Sequence, residues 1–168
     1  MASTAPPATL RPAKDGDALD VIELIGSVFG EYPHCILDVD GEMPELRAIA
    51  SYFQAHEGEF WVAEQGGRLV GMCGYVMSSP TTVELRKLYV HRSQRGAGLG
   101  GRLVELVERA ARARGASRIE LWSDTKFETA HRFYQRRGYV KGGTRELFDK
   151  SNTDEFYFAK SLEKEESQ

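Results

Sequence analysis

Apolar residues recur at Leu19, Ile22, Ile25, Val28 and Phe29 within "GDALDVIELIGSVFGEY". That spacing predicts an amphipathic helix, with Asp15 or Asp17 as its cap. "PHCILDVDGEM" reads as an irregular acidic loop, and "PELRAIASYFQAHEG" as a second helix with Pro44 in its first turn and Gly58 past its end. The period then drops to two. "EFWVAEQ", a Gly66-Gly67 turn and "RLVGMCGYVMSS" predict a hairpin; Pro80 breaks the chain, and "TTVELRKLYV" alternates as a third antiparallel strand. "GLGGRLVELVERAARARG" returns to helical spacing, with Leu99, Leu103, Leu106, Val107 and Ala110 on one face. "SRIELWSD" predicts a strand, "FETAHRFYQRRG" a helix closed by Gly138, and "YVKGGTRELFD" and "EFYFAKSL" two last strands. With "TLRPA" as an opening strand the order is β-α-α-β-β-β-α-β-α-β-β, a mixed α/β layer fold.

No repeat or linker interrupts this order. The pattern predicts a flexible tail over residues 1–8, where small residues and two prolines offer nothing to bury, one domain over 9–162, and a solvated tail over 163–168. A chain of 168 residues can bury a proper core, and 41% hydrophobic with 28% charged residues is ordinary for a globular protein. Net charge is −3, the wrong sign for a generic nucleic-acid surface. Cys35 and Cys73 are far apart and form no C-x-x-C, and the four histidines show no ligand spacing, so no disulfide framework and no metal are expected. The start lacks a secretion signal, and no apolar run approaches the roughly 18 residues of a membrane span. These features predict a soluble, cytoplasmic protein without membrane or nucleic-acid partners.

The candidate chemistry starts in "YVHRSQRGAGLGGRL". Gly96, Gly98 and Gly101 fit G-x-G-x-x-G, and Glu120 lies about 20 residues on, where a dinucleotide site places its ribose-binding acid. Glycines before a helix free its first N–H groups to face an anion, although such a loop also serves as a plain tight turn. Three features oppose a dinucleotide fold. The preceding strand carries Glu84, Arg86 and Lys87 rather than an apolar run; "HRSQR" separates strand from glycines; and the upstream antiparallel strands leave little room for two βαβαβ halves. No G-K-[ST] follows, which excludes a Walker loop.

"QRGAGLG" resembles the Q/R-x-x-G-x-G/A signature of the GNAT superfamily of acyl-CoA N-acyltransferases, with Arg95, Gly98 and Gly100 in register. "AHRFYQRRGYV" looks like that family's A-x-x-F-Y-x-x-x-G-F block, and the element order agrees from about Thr9 to Leu162. The resemblance implies an α/β fold with a mixed, mostly antiparallel six- to seven-stranded sheet, flanked by helices and splayed at its fourth and fifth strands. It implies acetyl-CoA as co-substrate: pantetheine against the backbone of Leu88, Tyr89 and Val90, and pyrophosphate on the amides of Arg95, Gly96, Ala97, Gly98, Leu99, Gly100 and Gly101. Phe127 stands where many relatives place an asparagine, which puts one cofactor contact in question.

Acyl transfer to an amine needs a neutral amine. At a pKa of about 10.4 only about one molecule in a thousand is neutral at pH 7, a cost of roughly 4 kcal/mol. A base must take the proton, a donor must face the thioester oxygen, and the departing sulfur needs a proton. The resemblance makes Tyr134 the candidate acid beside the sulfur, with core packing as its other reading. Glu84 is the candidate base; alternation would set it on one face with Arg86, Leu88 and Val90, and an exposed strand carboxylate is the other reading. The amide of Leu88 or Val90 is the candidate oxyanion donor. His131 reads as a packing histidine, and Arg136 and Arg137 as candidates for the adenosine phosphates. The loop carboxylates Glu31, Asp38, Asp40, Glu42 and Glu45, with the turn Asp149 to Glu155, form a candidate rim for a cationic acceptor. The resulting expectation is an acetyl-CoA-dependent N-acetyltransferase, monomeric or homodimeric, acting on a primary amine of a small molecule or peptide. A non-catalytic acyl-CoA-binding module of the same fold is the alternative.

Overall fold

The computed structural model describes residues 6–162. The elements are β1 (Thr9–Pro12), α1 (Ala18–Phe29), α2 (Val39–Glu42), α3 (Ile49–Ala55), β2 (Glu59–Gln65), β3 (Arg68–Ser79), β4 (Thr82–Val90), α4 (Leu99–Ala113), β5 (Arg118–Asp124), α5 (Glu128–Arg136), β6 (Val140–Glu146) and β7 (Asp154–Ser161). Single 3-10 turns at Asp15–Asp17, Pro44–Ala48 and Arg92–Gln94 connect them. The seven strands form one sheet in the order β1-β2-β3-β4-β5-β7-β6, and only the β4–β5 pair is parallel. The mostly antiparallel sheet expected from the sequence is therefore present.

The helices pack on both faces because the strand side chains alternate. On one face Leu99, Leu103, Val104 and Val107 of α4 and Tyr134 of α5 pack on Tyr75, Val83, Leu85, Ile119 and Phe158. On the other, Val21, Leu24 and Ile25 of α1 join Ile49 and Phe53 of α3 over Phe60, Val62, Met72 and Val76. The β2–β3 hairpin turns at Gly66 (φ 59°) and Gly67 (φ 77°), the left-handed pair that a tight two-residue turn requires.

Several local expectations change. The second helix divides into the 3-10 turn at Pro44–Ala48 and the short α3. The loop before it contains one helical turn, α2, whose Gly41 N–H donates to Asp38. Neither aspartate caps α1 with its side chain. Asp17 instead accepts from the Lys14 N–H and binds Arg11 in a fork, while Asp15 accepts from Ser51. Packing also begins before Thr9. Ala8 is buried, its carbonyl accepts from Arg102, and the Pro6 carbonyl accepts from Gln65. Residues 1–5 of the expected first tail, and all of 163–168, lie outside the described residues.

Two irregularities in β4 shape the cleft beside it. First, β4 and β5 pair only at Thr82–Arg118, Val83–Ile119 and Glu84–Glu120. Beyond Glu84 the strands part, leaving the β5-facing backbone edge of residues 85–90 without a strand partner among the described residues. Second, β4 carries a bulge. Met72 pairs with Tyr89 and Gly74 with Arg86, so Cys73 alone opposes both Lys87 and Leu88, and Lys87 sits at φ 58°. One extra residue reverses the alternation. Glu84 and Arg86 share a face with Tyr89, on the α1 and α3 side, whereas Leu88 and Val90 join Leu85 on the α4 side. The expected single face for Glu84, Arg86, Leu88 and Val90 is thus corrected.

Candidate active site

The gap between β4 and β5 opens into a cavity of about 460 Å³. Leu88, Tyr89 and Val90 form one wall, Gln94 to Gly101 the floor except Ala97, and Phe127, Ala130 and Phe133 the α5 side. The floor is an anion cradle. Gly98 enters α4 at φ 82°, open to the left-handed region because it lacks a Cβ. The first helical bond runs from Arg102 N–H to the Gly98 carbonyl. The N–H groups of Leu99, Gly100 and Gly101 precede it, so the helix leaves them free for an anion, aided by its dipole. The cradle is narrower than the sequence implied, since the Arg95 and Ala97 amides bond the carbonyls of Arg92 and Gln94 at 3.3 and 3.1 Å.

The Arg95 side chain does not turn to the cradle. Its guanidinium grips Glu31 (2.5 and 2.7 Å) and the Val90 carbonyl (3.2 Å), tying the end of β4 to the segment after α1. The ion pair holds the Glu31 carboxyl below the usual carboxylate range. Arg136 lines the cavity, and the Arg137 guanidinium approaches Gly101 while its buried Nε has no partner. Free helix amides and an unpaired strand edge together fit a ligand with phosphates at one end and amide groups along its length.

A second cavity of about 420 Å³ lies beside the first, lined by Phe29, Cys35, Ile36, Met43 and Phe148 and by four carboxylates, Glu42, Asp124, Asp149 and Glu155. Tyr89 and Phe127 line both cavities, so the two meet at these rings. Tyr89 packs edge-on against Phe29 of α1, and Phe127 lies 4.6 Å, centroid to centroid, from Tyr32.

The acidic rim expected from the loop is largely neutralised. Glu31 is held by Arg95, Asp40 by Arg47, Glu45 by Lys87 and Asp38 by Lys150. Of the five loop carboxylates only Glu42 lines the second cavity; its carboxylate accepts the Lys150 N–H. The remaining charge comes from the end of β5, the turn before β7 and the start of β7 itself. Asp149 accepts from Thr153, Asp124 meets His34 at 2.9 Å, and Glu155 binds Arg145 at 2.8 Å. Burial raises the Glu155 pKa despite Arg145, with Asp124 and Glu84 adding to the rise. The turn from Asp149 to Glu155 was legible as an acceptor candidate; Asp124, at a strand end, was not.

Of the two expected catalytic residues, Glu84 sits on the α1 and α3 side of the sheet, bound to Arg86 at 3.0 Å, and lines neither cavity. Tyr134 is buried in the α4-side core, with its ring 5.7 Å from both Tyr139 and Phe158. Burial pushes its phenol pKa up, so it stays protonated. His131 bonds the Asp124 carbonyl at 2.9 Å and packs against Phe156 and Phe158, a packing role as expected. No helix among the described residues is long and apolar enough to cross a membrane.

Known proteins are similar to this chain in sequence and in fold. Residues 25–139 match the family model described as acetyltransferase (GNAT) family. A rat N-acetyltransferase family 8 member 2 is 35% identical over 98 residues, 55% of this chain; the match spans only 43% of the rat protein's length. An uncharacterized N-acetyltransferase of Mycobacterium bovis is 31% identical over 112 residues, 67% of this chain and 71% of its own. Among solved structures, a GNAT-family acetyltransferase of Staphylococcus aureus superposes with a TM-score of 0.81 at 20% identity, covering 93% of this chain and 99% of that one. A putative acetyltransferase of Salmonella typhimurium, solved with its cofactor acetyl-CoA, gives 0.71 at 18% identity, covering 96% and 98%. The splayed β4 and β5, the glycine cradle before α4 and the match across residues 25–139 lead to one conclusion: the chain belongs to the GNAT family of acetyltransferases.

Proposed function

We propose that the protein transfers the acetyl group of acetyl-CoA to a primary amine of a small molecule or peptide, by direct attack in a ternary complex. The observation that carries this reading is the meeting of two cavities at Tyr89 and Phe127, one floored by an anion cradle and the other lined by carboxylates. Bound acetyl-CoA supplies an activated acetyl thioester. The amides of Leu99, Gly100 and Gly101 hold its phosphates, with Arg136 and Arg137 alongside, and the open edge of β4 holds its amide-bearing arm. Glu42, Asp124, Asp149 and Glu155 attract a protonated amine into the second cavity. Glu155 then accepts a proton from it, directly or through water; its raised pKa suits that role better than an ordinary carboxylate. Glu84, on the same face but outside the cavity lining, is the second candidate. Tyr134 remains the proposed donor to the departing sulfur on the family resemblance alone, since its buried phenol lines neither cavity.

The test is release of free CoA from acetyl-CoA with a panel of amines, polyamines, amino acids and peptides. Amine-dependent release supports the reading. The second reading, an acyl-CoA-binding module without turnover, is favoured by one observation: Tyr134 is packed in the core and does not line the cavity. Saturable acetyl-CoA binding with no release across the panel would establish that reading instead.

A further inference from the structure

His34 and Cys35 follow α1, and Asp124 ends β5, 90 residues from His34. The fold brings them together: His34 Nε2 lies 2.9 Å from Asp124 Oδ2 and 3.4 Å from Cys35 Sγ, and all three donor atoms fall within 4.8 Å of one another. A single imidazole nitrogen thus faces two partners. It carries at most one proton, so it cannot donate fully to the carboxylate and also accept from the thiol. A metal ion bound by all three would remove the conflict, since each can offer it a lone pair. Zinc bonds of about 2.3 Å to sulfur and about 2.0–2.2 Å to nitrogen and oxygen give tetrahedral edges of roughly 3.3–3.6 Å. The Nε2–Sγ separation of 3.4 Å matches such an edge, whereas the 2.9 Å between Nε2 and Oδ2 is a hydrogen-bond distance that lengthens by about 0.4 Å when an ion replaces the proton.

The surroundings hold these donors in place. Asp124 Oδ1 accepts the Lys126 N–H at 2.8 Å, which fixes the carboxylate and leaves Oδ2 for His34. The Ile36 N–H donates to Ser151 Oγ, which anchors the segment just after Cys35. Tyr32 and Phe127 pack beside the imidazole. Cys35 and Asp124 both line the second cavity.

We propose that His34, Cys35 and Asp124 form a binding site for a zinc-class divalent cation, clipping the segment after α1 to the end of β5, with the fourth coordination position open to the acceptor cavity. The protons balance: the Cys35 thiol forms its bond to the ion and releases one proton to solvent, while His34 moves its proton to Nδ1 and releases none. The histidine and cysteine spacing gave no sign of this site, because its third ligand is remote in sequence.

Cobalt(II) is the probe, because a thiolate ligand adds a charge-transfer band to its spectrum. Titrating reduced full-length protein should give that band at one equivalent, with release of one proton per ion. Cys35→Ser should abolish the band, and Cys73→Ser, which alters the cysteine buried on the α4 side, should leave it intact. His34→Gln should weaken binding by more than the roughly 10–100-fold that accompanies loss of a residue that merely orients a ligand. Acetyl-CoA titration and circular dichroism of each variant report the fold. If Cys35→Ser does not fold, His34→Gln at its partly exposed position carries the same comparison. No band in the wild type, or a band that survives Cys35→Ser, overturns the proposal.

Discussion

Lys87 Nζ lies 2.9 Å from Glu45 Oε1, an ion pair between two largely buried side chains that joins the bulge of β4 to the 3-10 turn before α3. Lys87 holds this position with a backbone φ of 58°, in the left-handed region. The backbone contribution can be isolated with two variants that both lose the pair. Lys87→Gly adopts the conformation freely, whereas Lys87→Val places a β-branched residue in it. Urea denaturation should find the valine variant less stable than the glycine variant by about 1–3 kcal/mol. Equal stability would show that the left-handed bulge is not imposed by the fold.

At Gly100 stability and ligand binding should move in opposite directions. A Cβ there would meet Phe133 and Val90 at 3.7 and 3.8 Å, ordinary contacts, and Gly100 lies in the first turn of α4. Gly100→Ala should therefore keep or raise stability, by up to about 1 kcal/mol. The added methyl group enters the cavity floor, so calorimetry should show acetyl-CoA affinity falling by roughly tenfold, about 1.4 kcal/mol.

The proton acceptor is tested by comparing Glu155→Gln with Glu84→Gln under saturating acetyl-CoA. The Glu155 change should lower amine-dependent turnover by about 10²-fold and the Glu84 change by much less. The reverse ranking would reassign the base to Glu84. The wild-type pH profile supplies a second readout. The carboxylate must be ionised to accept a proton, and burial raises its pKa. Turnover should therefore fall with acidification at a higher pH than the roughly 4.3 of an ordinary glutamate.

Stability should carry a separate acid dependence from His131. Burial lowers its pKa below about 6.5, so the folded state keeps it neutral where the unfolded chain would protonate it. The unfolded state then binds more protons, and stability falls as pH drops below about 6.5 toward the folded value. Urea midpoints at about pH 7.5 and about pH 5.5 should differ more for the wild type than for His131→Gln. Identical differences would show that His131 contributes nothing to the acid dependence.

How much of this was legible in the sequence depends on the range of the interaction that decides it. Leu99, Leu103 and Val107 marked α4 because helical periodicity is local, and Gly66-Gly67 marked the hairpin because only a few residue types take that turn. The β4 bulge escaped because its left-handed residue is Lys87, and lysine carries no such signal. That one residue moved Leu88 and Val90 to the face opposite Glu84. The loop carboxylates were correctly seen as a cluster, but their cations, Arg95, Lys87 and Lys150, come from elements distant in sequence. Asp124 was missed for the same reason. His34 meets its carboxylate and His131 its backbone carbonyl, and neither spacing is periodic.

The central claim is that the gap between β4 and β5, floored by the first turn of α4, is an acetyl-CoA site. Isothermal titration of the wild-type protein with acetyl-CoA tests it most directly. Saturable binding at one equivalent per chain is the expected result. Absence of saturable heat, or tight NADH binding that acetyl-CoA cannot displace, would contradict it.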